Sequence, residues 1–542
     1  MRILFDSRQT QYKTPFGTLR TGECCVLQIR IPTEVGASGV RLMLEDSEHA
    51  VCAELPFSFA SRGEDGYELW RLEFTRQETG LHFYWFRIDK RDGGSFRLFR
   101  QGRDTNMEAG EKWQLSVIPA DFRVPDFAPG AVMYQIFPDR FARSGSSDLT
   151  GKLQPFWVHE SPDELPEYRP DAQGEVRNND FFGGNFAGIR EKLPYLQELG
   201  VGVLYLNPIF MAWSNHRYDT ADYRRPDPML GTEEDFRALC DAAHARGMRV
   251  ILDGVFSHTG SNSVYFDAKH VFGHGAASDP NSPYRRWYRF HHYPDDYEAW
   301  WGIRTLPCVE ELDETYLNYI IEDEDSVIAH WLRLGADGFR LDVVDELPDE
   351  FVRRLRRRMR QIDPQSLLLG EVWEDASNKR AYGVSRRYFV DGELDSVMNY
   401  PWRNAIVAFL TDADDGTALG ESLMTLAENY PPEVLSCVMN HLGTHDTPRI
   451  LTVLGEPFRG TKDERAHRRM TPVQRKTALM RLRMAVFLQF TLPGMPCIYY
   501  GDEAGMEGFE DPFCRACYPW GREDEELQAY YRMMTALRGS SE

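Results

Sequence analysis

Four carboxylates, two histidines and an arginine stand at the ends of short apolar runs in this sequence. They are Asp253 and His258 in RVILDGVFSH, Arg340 and Asp342 in GFRLD, Glu371 in LLLGE, and His445 with Asp446 after VMNHL. Taken singly, each has an ordinary reading. A buried aspartate beside an arginine is commonly a structural ion pair, and a histidine near a strand end usually just satisfies its hydrogen bonds. Gathered on one rim, they are the equipment for glycosyl transfer to water or to another sugar. One carboxyl protonates a leaving oxygen and one carboxylate meets an oxocarbenium-like carbon, the two about 5 to 5.5 Å apart where configuration is retained. Arg340 lies two residues before Asp342, on the same side of a strand, so it is expected to hold Asp342 ionised as a nucleophile. Glu371 is the natural general acid/base, with a pKa that burial or neighbouring carboxylates must raise. Asp446 and His445 would hold substrate hydroxyls and favour a distorted ring.

For such residues to share a rim, separate strands must end there. Apolar strand candidates are VMYQIF (132 to 137), VGVLYL (201 to 206), RVILD (249 to 253), GFRLD (338 to 342), LLLGE (367 to 371), a weaker DSVMN (395 to 399), VMNHL (438 to 442) and CIYY (497 to 500). Helical stretches lie between most of them, for example EEDFRALCDAAHARG, closed by Gly247 as a C-terminal stop. Eight β/α units favour a TIM (β/α)8 barrel over an open doubly wound sheet, since no glycine-rich phosphate fingerprint follows the first strand. The interval from about 255 to 315 is dense in aromatics and turns (YRRWYRFHHYP, EAWWG) and reads as an insertion after strand three on the barrel mouth.

Residues 1 to 120 show another pattern. CVLQIRIP, VRLMLED, YELWRLEF, LHFYWFRID and WQLSVIP are strand-like and separated by turns, as in an all-β sandwich. In YELWRLEF the set Trp70, Leu72, Phe74 alternates with Leu69, Arg71, Glu73. The segment PADFRVPDFAPG is a stiff connection to a catalytic domain expected over 121 to 542. The arginine-rich run RRLRRRMR (353 to 360) reads as a solvated helix face.

Composition narrows the partners. Across 542 residues, 62 Lys and Arg stand against 84 Asp and Glu, a formal charge of −22. That argues against nucleic acid and against an anionic membrane surface. With 12 Trp and 25 Tyr there is ample material for flat stacking surfaces and a neutral ligand. No apolar run reaches the roughly 18 residues of a membrane span. MRILFDSRQT lacks the apolar core of a signal peptide. Nine scattered cysteines suit a reducing compartment, hence an expected cytoplasmic location. Cys514-x-x-Cys517 has no second CxxC and no histidine at ligand spacing, so no metal ligand is assigned.

Four ordered motifs, DGVFSH (253 to 258), GFRLDVVDE (338 to 346), GEVWEDA (370 to 376) and HLGTHDTPR (441 to 449), resemble the α-amylase family of glycoside hydrolases, family 13. Within it they resemble the cyclomaltodextrinase, neopullulanase and maltogenic amylase group. YQIFPDRFA, FFGGNFAGI, NHRYDTADY and IYYGDEAGMEG support the resemblance, which covers nearly the whole chain. It implies a retaining hydrolase of α-1,4-glucosidic bonds in maltooligosaccharides and cyclodextrins, with pullulan and starch left open. It places the nucleophile on Asp342, the acid/base on Glu371 and the transition-state stabiliser on Asp446. Arg340, His258 and His445 match sugar contacts of the first glycone subsite, Tyr218 its aromatic platform with His216 beside it, and Asp253 a supporting carboxylate. Asp511 and Arg515 match a pair that contacts the next glucose, and Trp373 and Glu346, inside the matching motifs, count among substrate contacts.

Departures qualify this. Ser257 stands where many members carry a calcium-binding Asn, and ARSGSSDL lacks the Asn/Asp pattern of a second calcium site. No cofactor is expected, and a structural calcium has only Asp148 and Asn185 as weak candidates. Glu374 replaces a frequent His near the leaving sugar, and LPCVEEL (306 to 312) replaces a subfamily motif. The family's C-terminal β-domain is expected to be absent after ELQAYYRMMTALRGSSE, leaving apolar surface on the last barrel helices exposed. The resemblance also implies a homodimer through the N-terminal domain. Two further readings share the scaffold: an α-1,6-acting or transglycosylating enzyme, and a non-catalytic carbohydrate-binding protein. The presence of Asp342, Glu371 and Asp446 together weighs against the last.

Overall fold

The computed structural model describes residues 2–540 and divides into two compact units. The larger comprises Val124–Trp373, Ser396–Asp415 and Ser436–Glu542. Its centre is a barrel of eight parallel strands: β1 (Met133–Ile136), β2 (Val203–Leu206), β3 (Arg249–Gly254), β4 (Gly338–Leu341), β5 (Leu367–Gly370), β6 (Ser396–Val397), β7 (Met439–His441) and β8 (Met495–Tyr499). The ladder runs β6-β5-β4-β3-β2-β1-β8-β7, and a parallel bridge between Met398 and Met439 closes it. All eight expected strands are present, and the weak sixth is the shortest.

Inside, Met133, Val203, Tyr205, Ile251, Leu367, Leu369, Met439, Met495 and Cys497 form one buried cluster. Side chains alternate along a strand, so inward-facing Ile251 fixes Asp253 as inward, and Leu369 does the same for Glu371. On β4 the inward set is Gly338, Arg340 and Asp342. Gly338 must be glycine, because a Cβ there would collide with the Leu367 carbonyl of β5. The stretch from Val255 to Asp313 carries only short elements, including the hairpin Phe290–His292 with Asp296–Tyr297, as the expected insertion requires. The helix Asp349–Ile362 buries Phe351, Val352, Leu355 and Met359. Several of its arginines turn outward to carboxylates, as Arg354 does to Glu350 at 2.8 Å.

The second unit comprises Met1–Arg123 together with Glu374–Asp395 and Gly416–Leu435. A four-stranded sheet orders Lys13–Thr14, Cys24–Pro32, Tyr67–Thr75 and Ser58–Arg62, and a seven-stranded sheet is built around Gly80–Lys90. The register opposes Cys25 to Phe74, Leu27 to Leu72 and Ile29 to Trp70, which gives the first sheet its buried face. Phe5, Tyr84, Phe86 and Trp113 meet across the core, with Phe5 edge-on to Trp113 at 5.1 Å. The later pieces are held by side chains of the first: Glu428, buried in the helix Gly416–Asn429, receives Arg8 Nε at 3.1 Å and the Ser7 hydroxyl.

Candidate active site

Register builds the site. Asp253 on β3 is opposite Arg340 on β4, and Gly370 on β5 is opposite Leu341, so Asp342 and Glu371 step off neighbouring strands at one level. Their amides continue the ladder, Asp342 N to the Gly254 carbonyl and Glu371 N to the Leu341 carbonyl, both at 3.0 Å. Arg340 is the hub. Its Nη1 donates to Asp253 Oδ1 at 2.8 Å and to Asp342 Oδ1 at 2.9 Å. Its Nη2 lies 2.8 Å from Glu371 Oε2, an ion contact without hydrogen-bond alignment.

One guanidinium therefore serves three carboxylates. Burial pushes the pKa of Asp342 well above the usual carboxylate range, opposed by Arg340 and reinforced by Glu371, Asp253 and Asp446. The sequence reading gave Arg340 enough weight to keep Asp342 ionised. The contact exists, but burial and crowding outweigh it. Glu371 is likewise raised by burial, with Arg340 opposing and Asp446 adding to the rise. With fewer cations than carboxylates, the cluster favours retaining a proton.

Glu371 is aimed by two neighbours. Its Oε2 accepts the Val343 amide at 2.8 Å and its Oε1 accepts Trp373 Nε1 at 3.1 Å. Val343 holds φ at 38°, a strained left-handed conformation for a β-branched residue, and so turns its amide toward Glu371. Trp373 stacks on Tyr400 at 3.9 Å and is 46% exposed, which leaves one face of the indole open.

A chain of fixed tautomers lines the other side. The Gln135 amide donates to His445 Nδ1 at 2.9 Å, so the proton of the neutral ring sits on Nε2. Nε2 meets the Tyr218 hydroxyl at 2.6 Å, and that hydroxyl donates to Asp253 Oδ2 at 2.8 Å. Burial holds His445 neutral, well below the ordinary histidine range, with Arg515 and Arg340 adding to it. Tyr218 lies flat on His445 at 5.3 Å and 5°, and its amide donates to His216 Nδ1 at 3.1 Å. His258, its pKa pushed down to about 4 by burial, donates from Nε2 to the Tyr218 carbonyl at 3.1 Å. Its Nδ1 accepts the Ser257 hydroxyl at 3.0 Å.

Asp446 is the most open of the three proposed catalytic carboxylates, with 32% of its side chain exposed. His445 Nε2 approaches it at 3.1 Å and Arg515 Nη2 donates to it at 3.3 Å. Arg515 also reaches Asp511 at 3.0 Å and the His445 carbonyl at 2.9 Å. Glu346 stands apart from this network. Its two oxygens accept the indole N–H groups of Trp300 (2.6 Å) and Trp301 (2.9 Å), which stack on each other at 4.4 Å. Trp301 is 74% exposed, and Trp300 lies 5.3 Å from the His258 ring.

Sequence reasoning missed Gln135, Tyr205, Val343 and this tryptophan pair. Only the pair left a trace, as EAWWG in the insertion. The two calcium candidates both make hydrogen bonds within the protein. Asn185 Oδ1 accepts Gly188 N at 2.8 Å and its Nδ2 donates to the Ser144 carbonyl, while Asp148 accepts the Thr150 amide. Among the described residues no group of three His, Cys, Asp or Glu could hold a metal, and no helix is long and apolar enough to cross a membrane.

A closed barrel with paired carboxylates, an arginine hub and stacking aromatics on its C-terminal rim defines a class of barrel enzymes. The chain belongs to the alpha-amylase family of glycoside hydrolases, whose catalytic domain matches residues 135–537. It is 34% identical over 593 residues to the amylopullulanase of Thermoanaerobacter thermohydrosulfuricus, with 99% of this chain and 39% of that protein covered. It is 34% identical to the cyclomaltodextrinase of Geobacillus thermopakistaniensis, with 77% of this chain and 63% of that protein covered. The chain thus spans less than two thirds of the length of both. A solved cyclomaltodextrinase superposes with a TM-score of 0.65 at 27% identity, covering 99% of this chain and 84% of the other. The type III pullulan hydrolase from Thermococcus kodakarensis does so with 0.65 at 26%, covering 99% and 87%.

Proposed function

We propose that this protein is a retaining α-glucan hydrolase that cleaves α-1,4-glucosidic bonds of maltooligosaccharides and cyclodextrins. The observation that carries the reading is the placement of Asp342 and Glu371 at one level on neighbouring strands, joined through Arg340. Strand spacing of about 4.8 Å suits the short carboxyl separation of retaining enzymes. In the first step an Asp342 oxygen bonds to the anomeric carbon as the glycosidic C–O bond breaks, and Glu371 gives its proton to the leaving oxygen. In the second, water delivers a proton to Glu371 and its oxygen to the anomeric carbon, releasing Asp342. Asp446, with His445 and Arg515, holds hydroxyls of the distorted ring. Burial and crowding raise the pKa of both carboxyls, so the cluster retains a proton, and attack proceeds from the form in which Glu371 carries it and Asp342 is ionised.

Relatives named amylopullulanase and pullulan hydrolase match 99% of this chain, so cleavage of α-1,6 bonds stands as the second reading. Product chromatography from β-cyclodextrin, pullulan and soluble starch separates the two. Asp342→Asn and Glu371→Gln are each expected to lower turnover by at least about a thousandfold. Near-native turnover in either, or a first-formed β-anomer in NMR of the products, overturns the mechanism. Association through the N-terminal unit belongs to the same proposal, and a monomeric mass of the whole chain in light scattering rejects it.

A further inference from the structure

The barrel unit carries a cavity of 460 Å³ lined by none of the carboxylates of the candidate active site. We propose that it is a second, non-catalytic glucan site that takes a maltose- to maltotriose-sized segment. The ligand class rests on the α-glucan reading above.

Its volume lies in the usual range for small-molecule sites, about 300 to 1,000 Å³. Its charges nearly cancel, four arginines standing against five carboxylates. That disfavours a phosphate or a nucleotide and suits a neutral ligand that both gives and takes hydrogen bonds. Several of these charges are already paired and hold the walls in place. Arg475 grips Glu507 at 3.0 Å and Asp524 at 3.3 Å, and Arg522 reaches Asp163 at 2.5 Å. Polar capacity is left over: Arg465 Nε is buried without a partner, and the Glu523 carboxylate has none among the described residues. Part of the wall is apolar, where Phe513 packs with Tyr168 and Ala466, so the cavity offers the mixture of C–H-compatible surface and hydrogen-bonding groups that a pyranose presents.

The turn Phe513–Arg515 joins the two sites. Phe513 lines the cavity, while two residues later Arg515 reaches Asp446 and Asp511. A glucan seated in the cavity is therefore held against the back of the turn that presents Arg515.

Isothermal titration of Asp342→Asn protein with maltotriose tests this. Two sites per chain are expected. In the same background the weaker one is lost on adding Ala504→Trp, which fills the cavity, or the lining pair Arg469→Ala with Glu523→Ala. In otherwise wild-type protein those changes raise KM for soluble starch about three- to tenfold and leave maltotriose turnover unchanged. A single site insensitive to both sets of changes overturns the cavity proposal and leaves the catalytic reading standing. Failure of Asp342→Asn protein to bind maltotriose at all overturns the glucan reading itself. Should Ala504→Trp not fold, the Arg469 and Glu523 pair carries the test alone.

Discussion

Asp253→Asn keeps the shape of a buried side chain and removes its charge, and the structure sets two readouts for it. Asp253 Oδ1 receives Arg340 Nη1 at 2.8 Å, and Oδ2 receives the hydroxyls of Tyr205 at 2.7 Å and Tyr218 at 2.8 Å. Loss of a charge-assisted bond to a buried guanidinium, with an amide nitrogen now facing two hydroxyl donors, lowers stability by about 2 to 4 kcal/mol. Asp253 is also one of the charges that raise the pKa of both Asp342 and Glu371. With it neutral, Arg340 serves two carboxylates instead of three, and both values fall. Glu371 must keep its proton to protonate the leaving oxygen, so the alkaline limb of the rate profile moves to lower pH by about one unit. Loosening of Arg340 should cost kcat/KM about ten- to a hundredfold, or about 1.4 to 2.8 kcal/mol of transition-state stabilisation. The assay is kcat/KM on maltotriose across about pH 4 to 9, paired with urea unfolding. A destabilised enzyme whose alkaline limb has not moved would show that Asp253 supports the fold alone and that the cluster does not share its charge.

Other perturbations have equally definite outcomes. Glu346→Gln leaves one acceptor for two indole N–H groups, and KM for maltohexaose should rise about two- to tenfold with little change on maltotriose; an unchanged KM rejects a role for the stacked Trp300 and Trp301 in binding longer substrates. Burial, with Glu310 and Glu346 adding, pushes the pKa of Glu311 up to about 8. The folded state then holds a proton that the unfolded chain has released, so stability falls as pH rises from the unfolded value toward 8. Glu311→Gln should therefore match the parent near pH 4.5 and exceed it by about 2 to 3 kcal/mol at pH 7, and urea titrations showing a pH-independent difference would contradict this. Lys152 Nζ and Asp227 Oδ2 form a fully buried pair at 2.7 Å. Asp227→Ala should cost about 3 to 5 kcal/mol, and a loss below about 1 kcal/mol in the same assay would mean that water or the nearby Asp219 carboxylate takes up the freed lysine.

The barrel was legible because each of its strands is an apolar run ending in polar residues, and a period of two then sends Asp253, Arg340, Asp342 and Glu371 to the same side. Trp70, Leu72 and Phe74 announced a sandwich strand in the same way, and all three are buried. Ser58–Arg62 gave no such signal, since every residue of that edge strand is exposed. The site was legible only where chemistry depends on side-chain type. Val343 acts through its amide and an unusual φ, which no residue identity announces. Gln135 and Tyr205 are barrel-lining residues whose role appears only once the barrel brings His445 and Asp253 to them. The charge state of Asp342 was not readable either, because a neighbouring arginine is visible in a sequence and the number of carboxylates competing for it is not.

The backbone passes between the two compact units five times, at 123/124, 373/374, 395/396, 415/416 and 435/436. Evolution or an engineer cannot, then, clip the sandwich off as a cassette. Cutting at residue 123 would strip Glu428 of Ser7 and Arg8, and Arg380 of its 3.0 Å contact with Glu48. Two stretches interleaved with the barrel sequence would lose their scaffold. One of them begins at Glu374, three residues after Glu371. A fall in activity after such a truncation would report damage to the acid-bearing loop as readily as the loss of an accessory role. Point substitutions on the sandwich, with residues 374–395 and 416–435 left packed, are the change that separates the two.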